Sequence, residues 1–293
     1  MDWKKSHVLV TGADGFIGSW IAKFLIEQGA DVYTIVRDIK RQNNVDILGI
    51  RNRINIVHGD LVNLDVCKRV IDEYEIDTCF HIAAQAIVGT ANASPLSTFE
   101  SNIKGSWNLL EAARLSKFIK RFVVASSDKA YGVQKELPYT EESPLLGLYP
   151  YDASKACTDI LARSYFKTYG IPIAVTRNAN TYGGADLNFS RLIPDTIKSV
   201  IKGEEPIIRS DGSPERDYMY IKDYDTKRLI RNLIHKEWYQ KNHVKEREKC
   251  KKQKKWWHKK KIPNSNDFQI PNSNKTKQNK NKTKKQNSHK NRQ

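Results

Sequence analysis

A glycine-rich stretch, Thr11-Gly12-Ala13-Asp14-Gly15-Phe16-Ile17-Gly18, separates two runs of different periodicity. Before it, residues 7–11 (His-Val-Leu-Val-Thr) form a short apolar run rich in β-branched side chains, the pattern of a buried strand. After it, Ile17, Ile21, Phe24 and Leu25 recur at helical spacing until Gly29 supplies a stop. Strand, glycine turn and helix in that order build an anion site. The glycines let the backbone turn tightly and approach a ligand, and the free N–H groups of the helix start favour a pyrophosphate. The spacing is G-x-x-G-x-x-G, and the strand–turn–helix context gives it meaning.

The alternation continues. Strands are expected at 31–36, 54–57, 78–82, 121–125 and 173–176, and helices at 16–28, 64–74, 95–116 and 151–169. Such a rhythm implies a parallel sheet covered on both faces, an α/β doubly wound, Rossmann-like fold. Residues 1–180 are read as a dinucleotide-binding domain. Residues 181–223 are read as a partial, truncated nucleotide-sugar-binding lobe, with a helix at 193–201, a strand at 206–208 and a turn at Asp211–Gly212. Residues 224–293 read as a lysine- and asparagine-rich tail. It contains a possible helix at 226–239, a lysine-dominated stretch at 249–261 around Trp256 and Trp257, and two copies of I-P-N-S-N. So polar a segment buries too little apolar surface to offset its ordering entropy, and disorder is expected.

The net charge of +17 suggests a nucleic-acid binder until it is located. The tail from Tyr224 holds 23 Lys+Arg and 5 Asp+Glu, which leaves 27 basic and 28 acidic residues in the first 223. The basic character belongs to the tail, whose contact with nucleic acid is expected to be non-specific. Cys67, Cys79, Cys157 and Cys250 show no paired spacing, so neither a metal site nor a disulfide framework is expected. Free thiols, no signal-peptide pattern and no membrane-spanning apolar run together suggest the cytoplasm.

Two further elements carry chemistry. Tyr151-Asp152-Ala153-Ser154-Lys155 places a phenol and an ammonium on one helix face. The ammonium is expected to lower the phenol's pKa and to hold a nicotinamide ribose, leaving Tyr151 as a base for a hydroxyl proton. After the second strand, Asp38 could accept from a ribose 2′-OH, favouring NAD, and Arg37 could pair with a 2′-phosphate, favouring NADP. NAD is the first expectation, and NADP stays open.

Together these residues resemble the extended short-chain dehydrogenase/reductase family, in its NAD-dependent epimerase/dehydratase branch. The resemblance covers residues 7–223. It includes His58-Gly59-Asp60-Leu61, whose counterparts contact adenine, and Phe80-His81-Ile82-Ala83-Ala84-Gln85, the loop under the cofactor. It also includes Asn102, the phrase Arg177-Asn178-Ala179-Asn180-Thr181-Tyr182-Gly183, the phrase Asn188–Pro194 containing Arg191, and Arg216-Asp217-Tyr218. It implies cofactor contacts from Gly12, Asp14, Gly15, Phe16, Ile17, Gly18, Arg37, Asp38, Asp60, Leu61, Ala83, Ala84, Gln85, Asn102, Tyr151 and Lys155. Substrate contacts are implied for Gln85, Ser127, Asn180, Arg191 and Arg216.

The tripeptide Ser127-Asp128-Lys129 separates the branches. Epimerases of the family usually carry small or apolar residues after the serine, whereas 4,6-dehydratases carry an acid. Asp-Lys resembles the CDP-glucose 4,6-dehydratase branch most closely. The catalytic set implied is Ser127, Asp128, Lys129, Tyr151 and Lys155. Ser127 and Tyr151 handle the sugar 4-OH, and Asp128 protonates the departing 6-OH. Lys129 serves as the C5 base or as an electrostatic partner of the enolate. The substrate implied is a nucleotide-diphosphate sugar, and two long helices, 95–116 and 151–169, are the candidate homodimer surface. The alternatives are a nucleotide-sugar 4-epimerase and, from another class, an inactive protein binding nucleic acid through its tail. Past Asp223 the resemblance ends in lysine-rich text, as a frameshift or spliced-on tail would produce. A half-built lobe is expected to impair activity.

Overall fold

The computed structural model describes residues 3–38, 43–208, 210–212 and 215–224. The expectations for the tail beyond residue 224, and for Cys250, lie outside the described residues.

Six strands, β1 (His7–Thr11), β2 (Asp31–Val36), β3 (Asn55–His58), β4 (Thr78–His81), β5 (Arg121–Ser127) and β6 (Ile173–Asn178), form one sheet. Their order is β3-β2-β1-β4-β5-β6 and every pairing is parallel. The helices are α1 (Phe16–Glu27), α2 (Asn44–Ile47), α3 (Leu64–Glu73), α4 (Val88–Ala93), α5 (Pro95–Phe99), α6 (Gly105–Leu115), α7 (Pro150–Tyr169) and α8 (Leu192–Lys202). Two further short strands, β7 (Asn180–Tyr182) and β8 (Tyr218–Tyr220), pair in parallel as a second sheet.

Strand residues alternate between two buried layers, as a pleat covered on both faces requires. Val8, Val10, Val32, Phe80 and Val123 pack with Ile21, Ala22, Leu25 and Ile26 of α1. Leu9, Ile35, Val57, Cys79, Phe122 and Val124 pack on the other side with Val70 and Ile71 of α3, Leu109 and Leu110 of α6, and Ala162 of α7. Each valine, leucine, isoleucine or phenylalanine among them contributes roughly 1.5–3 kcal/mol through burial. The chain runs outward through β2 and β3 on one side of β1, and through β5 and β6 on the far side of β4. The crevice between the ends of β1 and β4 is therefore the switch point at which doubly wound sheets hold ligands.

Two expectations need correction. Residues 206–208 form no strand, and Ile207 and Ile208 are exposed. Strand pairing there would need a neighbour to take its N–H and C=O groups, and β8 pairs with β7 instead. The helix expected over 95–116 is interrupted at Glu100–Lys104 by a π-helical turn. Such single turns collect at functional sites, and this one carries the buried Asn102. Among the described residues no helix is long and apolar enough to cross a membrane.

Candidate active site

The glycine turn sits at the β1 end of the crevice. Gly12 has φ +74°, and a Cβ there would lie 2.9 Å from the Ala83 backbone. A Cβ on Gly18 would lie 2.2 Å from the Gly12 carbonyl oxygen, so α1 can approach β1 this closely only with glycine. The Gly15 N–H donates to Gly12 O at 3.0 Å and closes the turn. Gly15 caps α1, and no side chain accepts from the helix start. Its N–H groups and dipole are thus left for an anion.

Beyond the turn lies a cavity lined by Asp14, Thr34, Asp38, Asn43, Arg51 and His58, among others. Thr34 Oγ1 is buried there and has no hydrogen-bond partner among the described residues. An unmatched hydroxyl costs about 1–3 kcal/mol, and a ribose or adenine polar atom would satisfy it. Glycine cradle, uncapped helix start and orphan hydroxyl fit a dinucleotide. Arg37 and Asp38 pair with each other, Nε to Oδ2 at 2.8 Å, and both are exposed. The Asp38 bond, then the charges of Asp60 and Asp14, hold the Arg37 guanidinium above its ordinary pKa, which places these groups in one neighbourhood. Asp60 Oδ1 accepts from Val62 N at 3.1 Å, and Leu61 O accepts from Asn108 Nδ2 at 3.0 Å, anchoring that turn to α6.

The loop after β4 is held from both sides. The Thr11 hydroxyl oxygen accepts from the N–H groups of Ile82 and Ala83, each at 3.1 Å. Asn102 Oδ1 accepts from Gln85 N at 2.7 Å, and Asn102 Nδ2 donates to Gln85 O and to Ser154 Oγ. The loop carrying Ala83, Ala84 and Gln85 is thereby tied to the buried Asn102, with Ser154 donating onward to the Tyr151 carbonyl at 2.7 Å.

Ser127 ends β5 and Tyr151 lies in the first turn of α7, where the Ser127 hydroxyl is close enough to act on the phenol. Ser127 Oγ also lies 3.0 Å from Asp128 Oδ1 and accepts from Lys129 N at 3.2 Å. Asp128 Oδ2 and Lys129 Nζ form an ion pair at 2.7 Å. Lys155 behaves differently from expectation. Its buried ammonium donates to the Ala125 carbonyl at 2.7 Å, and burial pushes its pKa down to about 8. The Tyr151 phenol is pushed above its ordinary pKa, mainly by burial, against the smaller opposing effects of Ser127 and Arg191. Lys155 is not among the groups that lower the phenol's pKa, and its ammonium is directed at the β5 carbonyl of Ala125. Asp152 escaped the sequence reading. Burial raises its pKa, and the charges of Lys129 and Asp128 act on it. Its adjacency to Tyr151 was the available signal, but an acid in a helix's first turn ordinarily needs no other explanation.

The substrate side is less drawn together. Arg191 precedes α8, pairs with Asp186 Oδ2 at 3.3 Å, and is close enough to act on Tyr151. Asn180 lies on β7 in register with Tyr218, two residues after Arg216. Arg216 is exposed and donates to the Glu215 carbonyl, with no bond to the other expected substrate residues among the described residues.

Residues 9–293 match the model of the family described as GDP-mannose 4,6 dehydratase, past the point where the sequence reading ends its resemblance. A trifunctional UDP-glucose 4,6-dehydratase/UDP-4-keto-6-deoxy-D-glucose 3,5-epimerase/UDP-4-keto-L-rhamnose-reductase of Arabidopsis thaliana is 33% identical over 228 residues, covering 75% of this chain. The chain spans only 34% of that protein's length. CDP-glucose 4,6-dehydratase of Salmonella typhimurium is 31% identical over 222 residues, 72% of this chain and 62% of its own. Among solved structures, DesIV, a dTDP-glucose 4,6-dehydratase from Streptomyces venezuelae with NAD and TYD bound, superposes with a TM-score of 0.69 at 28% identity, covering 78% of this chain and 72% of that one.

Proposed function

Because this chain belongs to the GDP-mannose 4,6 dehydratase family, we propose that it is a nucleotide-sugar 4,6-dehydratase converting a CDP-glucose-like substrate to a 4-keto-6-deoxy sugar, with NAD as its dinucleotide. The observation that carries this reading is the meeting of Ser127, Tyr151 and the Asp128–Lys129 pair at the ends of β5 and α7. An epimerase needs the first two groups, and an elimination needs the added acid and base.

Bound in the crevice, NAD supplies an electron-pair acceptor that returns what it takes, so the reaction is redox-neutral overall. Gly12, Gly15 and the start of α1 would hold its pyrophosphate, and Lys155 its nicotinamide ribose. Asp38 favours NAD over NADP, since its carboxylate accepts from a 2′-hydroxyl and repels a 2′-phosphate. Tyr151 takes the proton of the sugar 4-OH while Ser127 holds the oxygen. That role needs the phenolate, which burial disfavours in the folded protein and a cationic nicotinamide beside the ring would favour.

Asp128 and Lys129 form an ion pair at 2.7 Å. Asp128, when protonated, gives its proton to the departing 6-hydroxyl, which leaves as water, and Lys129 serves as the C5 base in its amine form or as the electrostatic partner of the enolate. An ordinary lysine is a poor base at neutral pH. The protons taken from the 4-OH and from C5 balance those delivered to the 6-hydroxyl and to C5 as the electron pair returns to C6.

The substrate diphosphate falls to Asn180, Arg191 and Arg216, of which the guanidinium groups suit paired bonds to phosphate. A homodimer through α5, α6 and α7 is supported by the exposed Leu96, Trp107 and Ile160. Free Cys67, Cys79 and Cys157 suit a reducing cytoplasm. Tail contacts with nucleic acid are proposed to be non-specific only. The test is incubation of the purified chain with CDP-glucose and NAD+, followed by mass spectrometry. Loss of one water with a new 4-ketone is expected. A product of unchanged mass and inverted C4 refutes the dehydratase reading.

A further inference from the structure

Behind the crevice lies a buried polar chain that the proposed reaction does not use. Thr11, His81, Asn102, Ser106, Ser154 and Thr158 are all buried. The parallel register sets Thr11 directly beside His81 across β1 and β4. Thr11 Oγ1 lies 2.9 Å from His81 Nδ1, and His81 Nε2 lies 2.8 Å from Ser106 Oγ.

The direction of each bond follows from groups that have no choice. The N–H groups of Ile82 and Ala83 can only donate, and they fill the acceptor capacity of the Thr11 hydroxyl. Its single hydrogen must then go to His81 Nδ1. That nitrogen carries the lone pair, so the ring proton sits on Nε2 and is donated to Ser106 Oγ. Ser106 in turn donates to the Asn102 carbonyl, which Thr158 also reaches at 3.1 Å. Asn102 fixes Gln85 on one side and, through Ser154, the Tyr151 carbonyl on the other.

We propose that His81 is a positioning residue: held neutral with its proton on Nε2, it ties the glycine turn at Thr11 to the π-helical turn at Asn102 and, through it, to the helix start bearing Tyr151. The placement of the pyrophosphate end and of the phenol are thereby set by one continuous hydrogen-bonded run. Burial, with a smaller contribution from the nearby Lys155, pushes the imidazole pKa down to about 3, which keeps the ring uncharged. The consequence for ligand binding rests on the dehydratase reading, and the tautomer does not.

Two measurements on the full chain judge it. Nitrogen-15 NMR of wild-type protein at pH 7, with His81 assigned by difference from His81→Gln, should show the Nε2–H tautomer. An Nδ1–H ring or an imidazolium overturns the proposal. Thr11→Val keeps shape and removes the donor to Nδ1. It should disturb the His81 tautomer and weaken NAD+ binding on the order of tenfold, as loss of a buried hydrogen bond does, while Thr11→Ser restores both. Thr11→Val with unchanged tautomer and unchanged NAD+ affinity overturns it, even if thermal stability falls. A wild-type protein that binds no NAD+ refutes the dehydratase reading instead, and the tautomer still decides this one.

Discussion

Replacing Lys155 with Met should make the ligand-free protein more stable while ending its activity. The wild-type ammonium is buried against β5 and bonded to the Ala125 carbonyl. Its pKa falls from an ordinary 10.5 to about 8 because burial disfavours the charge. At 1.36 kcal/mol per pH unit, that difference corresponds to about 3 kcal/mol of strain in the charged form. Methionine has nearly the same shape and no charge, but it leaves the Ala125 carbonyl without its donor, at a cost of about 1 kcal/mol. The net expectation is a gain of about 2 kcal/mol at pH 7.

The pH dependence has a definite sign. The folded pKa lies below the unfolded one, so between about 8 and 10.5 the unfolded chain binds more protons. Stability from this group therefore rises with pH across that window. The advantage of Lys155→Met should be full below pH 8 and should disappear as pH approaches 10.5. Urea unfolding of both proteins, followed by circular dichroism at pH 7, 9 and 10, reads the difference directly and cancels the titration of other groups. A methionine variant less stable than wild type at pH 7, with a gap that does not change with pH, would refute the reasoning. Retained turnover in that variant would remove Lys155 from the machinery altogether.

Tyr151→Phe should lower kcat by roughly 10²–10⁴-fold, the usual worth of a positioned acid or base, with NAD+ affinity little changed. Steady-state kinetics alongside NAD+ titration separates the two. Gly18→Ala places a Cβ 2.2 Å from the Gly12 carbonyl oxygen. Backbone displacement of that kind should cost about 1–3 kcal/mol in thermal unfolding and should abolish NAD+ binding. An alanine variant that binds NAD+ normally would show that the turn is not the pyrophosphate site. Thr34→Val removes a buried hydroxyl that has no partner among the described residues. It should stabilise the ligand-free protein by about 1 kcal/mol and weaken NAD+ binding, and isothermal titration beside thermal unfolding should find both effects.

The doubly wound fold was legible before any coordinates. Apolar runs such as 7–11, and the helical spacing of Ile17, Ile21, Phe24 and Leu25, are local patterns whose alternation implies a sheet covered on both faces. The glycine turn was legible for the same reason, since only glycine admits α1 so close to β1. The strand expected at 206–208 failed because strand formation depends on a partner, and no local pattern specifies one. The π-helical turn at Glu100–Lys104 was equally invisible; it carries Asn102, whose partners Gln85 and Ser154 lie 17 and 52 residues away in the chain.

The chemistry divides along the same line. The sequence by itself determined which groups are available: a phenol and an ammonium one helical turn apart, a hydroxyl, and an acid next to a lysine. Only the tertiary structure decided what each group does with its proton. Packing of α7 on β5 brings Lys155 to Ala125, and the β1–β4 register brings His81 to Thr11, 70 residues away in the chain. Burial then moves the proton affinities of Lys155, His81 and Tyr151. Protonation is set by desolvation and by neighbours that the fold supplies, and neither is written in the spacing of residues along the chain.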